Sequence, residues 1–186
     1  MQSRLTHLNS DNTTPEQQRV LTKILKGPRG NLDGPFLAWV HSPELADPAQ
    51  ELGAYCRYHT RIPLRLSELA ILTTAVCWQS QAEWQIHEPI AHQAGISKQI
   101  TEAIRVGSEP VFANADEQLV YQLTTSLYNT KRIPDDLYQQ AVNHFGESAL
   151  VDLIGILGYY SLVAMTLNAF EVRRNTDQPL PFKEAF

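Results

Sequence analysis

The sequence predicts an all-α domain of seven to nine helices. Helix-start signals recur, in which a small polar residue precedes a proline and an acidic residue, as in Thr14-Pro15-Glu16 and Ser42-Pro43-Glu44. Apolar residues return at three- and four-residue intervals, which is typical of helices. No segment alternates apolar and polar residues between hairpin turns, as a half-buried strand would. At 186 residues the chain is long enough for one domain with a sizeable core.

The helices of the first half are bounded by proline and glycine. The first is predicted to run from Thr14 to about Lys26, and the segment GPRGNLDGP then forms a loop. Ser42-Pro43 and Asp47-Pro48 each carry the start signal, so a short turn is expected before a helix that ends near Arg61. Pro63 breaks the chain. An apolar stripe then predicts a helix over about 65–78, formed by Leu66, Leu69, Ala70, Thr73, Val76 and Cys77.

The second half continues the helical pattern. The predicted helices cover about 80–93, 97–106, 116–129, 134–145 and 147–172. Gly95 and Gly107 follow two of them as C-terminal caps, and Pro89 is expected to bend the helix that contains it. The last residues, 173–186, form a predicted extended arm. We therefore predict a single domain over 1–186, with its core at about 36–172 and both termini peripheral.

Composition excludes several classes of function. The net charge is -5 and the basic residues are scattered, whereas phosphate-backbone binding requires a concentrated positive patch, so no nucleic-acid partner is expected. Cys56 and Cys77 are the only cysteines and form no CxxC motif, which argues against a disulfide scaffold and favours a reducing, cytoplasmic setting. The polar N-terminus lacks the apolar run of a signal peptide.

One segment has the length of a membrane span. Residues 149–170 form an apolar stretch in which Asp152 is the one formal charge. Polar residues and glycines dilute this stretch, and no basic flank precedes it. We predict a helix buried in the centre of the fold or at a subunit interface, and no membrane partner.

The segment SQAEWQIHEPIAHQAG, residues 80–95, carries the strongest chemical signal. Ser80, Glu83 and His87 lie three and four residues apart, so a helix brings them near one face, where Glu83 and His87 can pair. The same residues Ser80 and Glu83 also match a capping box, S-x-x-E, which stabilises a helix start without any catalytic role. If they form only a cap, Glu83→Ala should cost about 0.5–2 kcal/mol of stability.

Glu68 favours the catalytic interpretation of this segment. It lies nineteen residues before His87, on the preceding predicted helix. An antiparallel helix pair with a short turn near Gln79 would bring Glu68 beside Ser80, Glu83 and His87. Two carboxylates and an imidazole in one pocket are a setting in which pKa values move toward neutrality.

These residues resemble the carboxymuconolactone decarboxylase family, which shares its fold with the alkylhydroperoxidase D proteins. The resemblance lies in LRLSELAILTTAVCWQSQAEWQIHEPIAHQAGISKQITEAIRVG and extends through GPFLAWVHSPELADPAQELGAYCRY and FGESALVDLIGILGYYSLVAMTLNAF. It therefore covers most of the chain and implies an alkylhydroperoxidase D-like helical domain. The peroxidase branch carries an upstream glutamate and then C-x-x-C-x-x-x-H. When His87 takes the place of the motif histidine, Glu68 matches the glutamate, and Ser80 and Glu83 match the two cysteines.

The two substituted cysteines separate this chain from the thiol peroxidases. Peroxide reduction requires a thiolate to attack and a second thiol to resolve the sulfenic acid, and neither Ser80 nor Glu83 supplies one. Cys77 lies ten residues before His87, on the helix predicted to bear Glu68. It is either a buried small apolar residue or the nucleophile of a one-cysteine, peroxiredoxin-type oxidoreductase. Cys56 offers no pairing.

The decarboxylase branch implies a lyase that acts on a small carboxylated lactone or related organic acid. Loss of CO2 leaves a carbanion or dienolate to be protonated, so His87 is the expected proton donor, with Glu68 orienting it and Glu83 as a second acid or base. Arg65 is the candidate for holding the substrate carboxylate. Three more residues complete the expected binding set: Ser80, Trp84 and Tyr159. No metal or organic cofactor is indicated.

The resemblance also implies a homo-oligomer, a trimer or hexamer with sites near subunit contacts. Three functions stay open at the level of the sequence. They are cofactor-free acid–base catalysis, thiol-dependent peroxide reduction through Cys77, and a non-catalytic oligomer that binds a ligand.

Overall fold

The structure, a computed structural model, describes residues 1–9 and 11–184. Over this range the chain forms nine α-helices and no strand, apart from one isolated antiparallel bridge between Gln2 and Arg173. The helices are α1 (Pro15–Lys26), α2 (Phe36–Trp39), α3 (Pro43–Tyr58), α4 (Leu64–Trp78), α5 (Gln81–Gln93), α6 (Lys98–Arg105), α7 (Ala115–Thr130), α8 (Asp135–Phe145) and α9 (Glu147–Ala169). The predicted all-α fold of seven to nine helices is confirmed.

The start of α1 matches its prediction in detail. The Gln17 amide donates to the Thr14 hydroxyl at 3.2 Å, and the Thr14 amide donates to the Gln17 side chain at 2.9 Å. Two otherwise unpaired backbone donors are therefore satisfied, as in any capping box. The short helix α2, by contrast, was not predicted.

Asp47-Pro48 does not begin a helix, and the sequence-based prediction of a start there was wrong. A single helix, α3, begins at Pro43 and continues through Pro48. Pro48 removes one internal backbone hydrogen bond. The helix persists because its inner face is buried at helical spacing by Ala46, Ala49, Gly53 and Cys56.

Helix α9 lies at the centre of the fold. It packs most extensively against α4, and also against α3, α5 and α8. Within the described residues it is the one helix long and apolar enough to cross a membrane by length and composition, and 61% of its most apolar 18-residue window is buried in this chain. A central helix of a globular domain meets the same criterion. The predicted burial of this segment is therefore observed for most of its length.

A buried carboxylate ties α9 to α3. Asp152 is 6% exposed and accepts three hydrogen bonds, from the Tyr55 hydroxyl at 2.7 Å, the Arg61 amide at 2.8 Å and the Arg61 guanidinium at 3.1 Å. Burial alone would raise the pKa of Asp152, but these hydrogen bonds outweigh it and hold the pKa below its ordinary value.

We expect Asp152→Ala to lower the free energy of unfolding at pH 7 by about 1–3 kcal/mol, because a charged acceptor and its hydrogen bonds are lost. The wild-type contribution is present above the unfolded pKa of about 3.9 and disappears as pH falls below it. Urea unfolding at pH 7 and pH 3 measures both effects. Asp177→Ala, in the exposed arm, is the matched control, and equal stability of the two variants would contradict the role of Asp152.

The C-terminal arm is not free of the domain. The Gln81 side chain and the Phe182 backbone exchange two hydrogen bonds, of 2.8 and 2.9 Å, and the Phe182 ring packs edge-on against Trp84 at 5.5 Å. The Arg105 guanidinium donates to the Pro181 carbonyl. The described part of the predicted arm, 173–184, therefore packs on α5 and α6, and residues 185–186 lie outside the described range.

Candidate active site

The turn between α4 and α5 sets the geometry of the site. Gln79 adopts a left-handed conformation with φ of 48°, and the Ser80 amide donates to the Ala75 carbonyl at 2.8 Å. This hydrogen bond closes α4 in the manner of a Schellman cap. The chain then reverses direction at Gln79, as the sequence predicted.

The predicted capping box at Ser80 and Glu83 does not form. Neither side chain makes a capping hydrogen bond at the start of α5. The physical reason lies in the preceding turn, because the Ser80 amide that Glu83 would accept from is already used to close α4. Glu83 therefore does not stabilise the start of α5.

Glu68 and His87 meet, as predicted. The reversal at Gln79 brings the two helices side by side, and the His87 Nδ1 atom lies 2.7 Å from the Glu68 Oε2 atom. Glu68 is 1% exposed and His87 is 4% exposed. With Glu68 ionised, Nδ1 carries the donated proton, because a carboxylate only accepts, and Nε2 is then the nitrogen that can exchange a proton with a substrate.

Glu83 is buried without a partner. Its side chain is 1% exposed, and neither carboxyl oxygen has a hydrogen-bond partner within the described residues. The predicted Glu83–His87 pair is therefore absent, because His87 turns to Glu68 instead. Burial, and secondly the nearby charge of Glu68, raise the pKa of Glu83 well above its ordinary value. Glu83 thus favours its neutral form.

Two tyrosines of α9 complete this cluster. The Tyr160 ring packs edge-on against the His87 ring at 5.1 Å, and its buried hydroxyl has no hydrogen-bond partner in the described part of the chain. Burial raises the pKa of Tyr160 well above its ordinary value. Tyr159 packs edge-on against Tyr160 at 5.2 Å, and its hydroxyl lies so close to Gly53 that a side chain at residue 53 would overlap it.

A small cavity adjoins these groups. Its volume is about 20 Å³, which is room for about one water molecule. Its polar and charged lining residues are Arg29, Asp33, Arg57, Glu83, His87, Tyr159 and Tyr160. Its apolar wall includes Phe36, Ile86, Val163 and Leu167. Tyr159, predicted to bind substrate, is thus at the cavity.

Arg65 does not line this cavity, so its predicted role as the substrate anchor has no support in the geometry. Its guanidinium donates to Asp116 at 2.6 Å and forms a second ion pair with the buried Glu117. The sequence-based prediction placed Arg65 beside Glu68 because the two are three residues apart on α4. The Arg65 guanidinium instead forms ion pairs with Asp116 and Glu117 at the start of α7.

Ser80 and Trp84 are also outside the cavity lining. Ser80 is fully buried, and its hydroxyl has no hydrogen-bond partner among the described residues. Trp84 is buried against Phe182 of the C-terminal arm rather than walling the pocket. Their predicted substrate-binding roles therefore have no support in the geometry.

Cys77 lies away from the site. It is exposed rather than buried in the apolar stripe, which corrects one of its two interpretations. Cys77 lies nine residues after Glu68. Because an α-helix turns by about 100° per residue, the two side chains lie on opposite sides of α4. Desolvation raises the pKa of the Cys77 thiol, against the smaller opposite effect of Lys131. Cys56 is buried, and burial raises its pKa to about 11.

Several cavity residues were missing from the predicted set, and the polar and charged ones among them are Arg29, Asp33, Arg57 and Tyr160. Arg29 belongs to the loop before α2, and Arg57 lies near the end of α3, so neither is close to the motif in sequence. Tyr160 could have been found from the sequence, because it places a hydroxyl in a helix predicted to be buried, and such a hydroxyl needs a partner. No comparable signal marked either arginine.

Comparison with protein families and with curated sequences gives no assignment for this site. No protein-family model matches the chain, and no curated protein sequence matches it. Within residues 1–9 and 11–184, no group of three His, Cys, Asp or Glu side chains is arranged to hold a metal ion.

Proposed function

We propose that this chain is a carboxymuconolactone decarboxylase-like enzyme. It uses cofactor-free acid–base chemistry to decarboxylate a small carboxylated lactone or a related organic acid. The observation that carries the proposal is the cluster around His87, where an imidazole paired with Glu68 adjoins the Tyr160 hydroxyl and the Glu83 carboxyl. Neither of these two groups has a hydrogen-bond partner among the described residues. Folded proteins satisfy most buried polar groups, and exceptions concentrate at sites of function.

The proposed step balances without a cofactor. The bond between the carboxylate carbon and the ring carbon breaks, CO2 leaves, and the electron pair passes into the conjugated lactone carbonyl. The resulting dienolate then takes a proton at carbon from His87 Nε2, and solvent restores that proton. Glu68 stabilises the imidazolium form through Nδ1, while neutral Glu83 and Tyr160 are acids that can donate hydrogen bonds to the developing oxyanion.

The cavity must widen to accept such a substrate, because its present volume fits about one water molecule. The wall that carries Arg29 and Asp33 is the loop between α1 and α2, which contains three glycines. Gly30 and Gly34 adopt φ values of 68° and 102°, where glycine is favoured. This loop is the part of the cavity wall that does not belong to a helix.

The test is CO2 release from a panel of carboxylated five-membered lactones in D2O, without added cofactor. We expect release of CO2 together with one deuterium on the ring carbon of the product. Cys77→Ser should leave the rate unchanged, because Cys77 lies on the opposite side of α4 from Glu68. No CO2 release from any member of the panel would contradict the proposal.

The competing peroxidase function predicts a different effect of Cys77→Ser, measured in a separate assay of peroxide consumption. Peroxide consumption that is lost in Cys77→Ser, with oxidation at Cys77 found by mass spectrometry, would replace the decarboxylase proposal. A chain that binds the lactones but neither releases CO2 nor consumes peroxide would be the ligand-binding oligomer.

We also propose that the chain forms a homo-oligomer, a trimer or hexamer in the cytoplasm. Support comes from an exposed row on α9 in which large apolar side chains flank two glycines, formed by Val151, Ile154, Gly155, Gly158 and Met165. Small residues allow another helix to approach closely. Analytical ultracentrifugation tests this, and a monomer at micromolar concentration would contradict it.

A further inference from the structure

Two cavity arginines stand apart from the other arginines of the chain. Of the ten, six form ion pairs with carboxylates: Arg4, Arg19, Arg61, Arg65, Arg105 and Arg173. Arg174 donates to a backbone carbonyl. The side chains of the other three have no hydrogen-bond or ion-pair partner within the described residues, and two of these residues, Arg29 and Arg57, line the cavity of His87.

Arg29 is held with its charge uncompensated. Its Nη2 atom is buried and has no hydrogen-bond partner in the described part of the chain. The guanidinium carbon lies 4.7 Å from the centre of the Phe36 ring, so the side chain stacks on the cavity wall. A buried N–H that lacks an acceptor costs free energy, and an anion in the cavity would remove that cost.

Arg57 approaches the same cavity from α3. Its charge, like that of Arg29, acts on the hydroxyls of Tyr159 and Tyr160 and favours their ionised forms. Both residues line the cavity, and the Arg57 guanidinium carbon lies 5.7 Å from the centre of the neighbouring Tyr58 ring. Neither arginine lies within ion-pair distance of Asp33 or Glu83, the carboxyl groups that line the cavity.

The charged residues that line the cavity carry a net positive charge of one, which one anion would neutralise. Arg29 and Arg57 contribute two positive charges and Asp33 one negative charge. Glu83 favours its neutral form because it is buried beside Glu68. Glu68 is paired with His87 through Nδ1 at 2.7 Å. The remaining wall is apolar, which suits a small ring rather than a sugar or a polyanion.

We propose that Arg29 and Arg57 form the carboxylate-binding subsite of the enzyme, and that its substrate carries a single carboxylate on a small apolar ring. That the anion is the substrate rests on the proposed function. Guanidinium groups bind carboxylates through paired hydrogen bonds, which fixes the orientation of the acid. Arg29 and Arg57 thereby replace Arg65 as the residues that orient the substrate toward His87 Nε2.

The test is calorimetric titration of 2-furoate, a five-membered ring with one carboxylate, against its neutral isostere 2-furamide. Wild-type protein should bind furoate at millimolar concentration or below and bind furamide more weakly. Arg29→Gln and Arg57→Gln should each weaken furoate binding by about 10- to 100-fold, because each removes a charge-assisted hydrogen bond. Arg57→Lys should recover part of the loss, since it keeps the charge but not the planar fork.

The matched control is Arg132→Gln, which removes the third unpaired arginine from an exposed position away from the cavity. It should leave the affinity for furoate unchanged. Three results would overturn the subsite: equal furoate binding in the wild type and in both cavity variants, equal wild-type affinity for furoate and furamide, or no wild-type binding of furoate at millimolar concentration.

This experiment separates the subsite from the catalytic proposal, because binding is measured without turnover. Arginine-dependent furoate binding in a protein that releases no CO2 from any lactone would retain the subsite and reject the decarboxylase. Turnover together with arginine-independent furoate binding would do the reverse.

Discussion

His87→Gln is expected to lower the rate of decarboxylation by about 10²- to 10⁴-fold, the usual contribution of a positioned general acid. Glutamine keeps a polar side chain of similar reach but cannot deliver a proton from the position of Nε2. The loss should appear in kcat, because His87 acts on the reaction and not on anchoring of the carboxylate. Single-turnover CO2 release, at saturating lactone, measures it.

His92→Gln provides the matched control for His87. His92 lies on the same helix, α5, but its Nε2 atom contacts the Thr101 hydroxyl at 2.9 Å and it does not line the cavity. Its replacement should leave kcat unchanged. A His87→Gln protein that retains the wild-type rate, with unaltered circular dichroism, would exclude His87 as the proton donor.

Glu68→Gln tests the same assignment without removing the imidazole. The amide oxygen can still accept from Nδ1, but it no longer stabilises the imidazolium with a negative charge. We expect a smaller loss of kcat than in His87→Gln and a change in the pH profile of kcat. A profile identical to that of the wild type would show that Glu68 does not act through His87.

Glu83→Gln is expected to stabilise the protein, and increasingly so as pH rises. The unfolded carboxyl group loses its proton near pH 4.3, whereas burial and Glu68 keep the folded group protonated to higher pH. Above the unfolded pKa the native state therefore binds more protons than the unfolded state, and its stability falls with pH. Glutamine cannot titrate, so it removes this loss.

Thermal unfolding at pH 5 and pH 8 measures the effect. Each 1 kcal/mol of gain raises Tm by roughly 2–4 °C in a chain of this size, and the gain should be larger at pH 8. Glu109→Gln, at an exposed position, should show no such dependence. A Glu83→Gln protein that is less stable than the wild type at pH 8 would mean that Glu83 is ionised and paired.

The sign of this effect separates the two interpretations of the motif. A capping-box glutamate stabilises a helix, so its removal would cost about 0.5–2 kcal/mol. In the structure the Ser80 amide is already bonded to the Ala75 carbonyl, and both oxygens of Glu83 are unpartnered within the described residues. A variant that gains stability and loses activity would mark Glu83 as a residue kept for function at a cost in stability.

The sequence by itself determined the helical fold and the central pair of the site. Three- and four-residue apolar spacing and the start signals at Thr14 and Ser42 are local properties, and they predicted most helix bounds to within a few residues. The Glu68–His87 contact was also predictable, because a single short turn at Gln79 joins their helices. A short turn fixes how two antiparallel helices are aligned, and so it determines which of their residues can contact each other.

Only the tertiary structure decided the rest of the site. The partner of Arg65 lies on α7, and the burial of Glu83 depends on packing between elements distant in sequence. Arg29, Arg57 and Tyr160 reach the cavity from the loop before α2, from α3 and from α9. Local periodicity reports which face of a helix is buried, but not which other element covers it. A site assembled from several elements therefore becomes visible only when the helices are packed together.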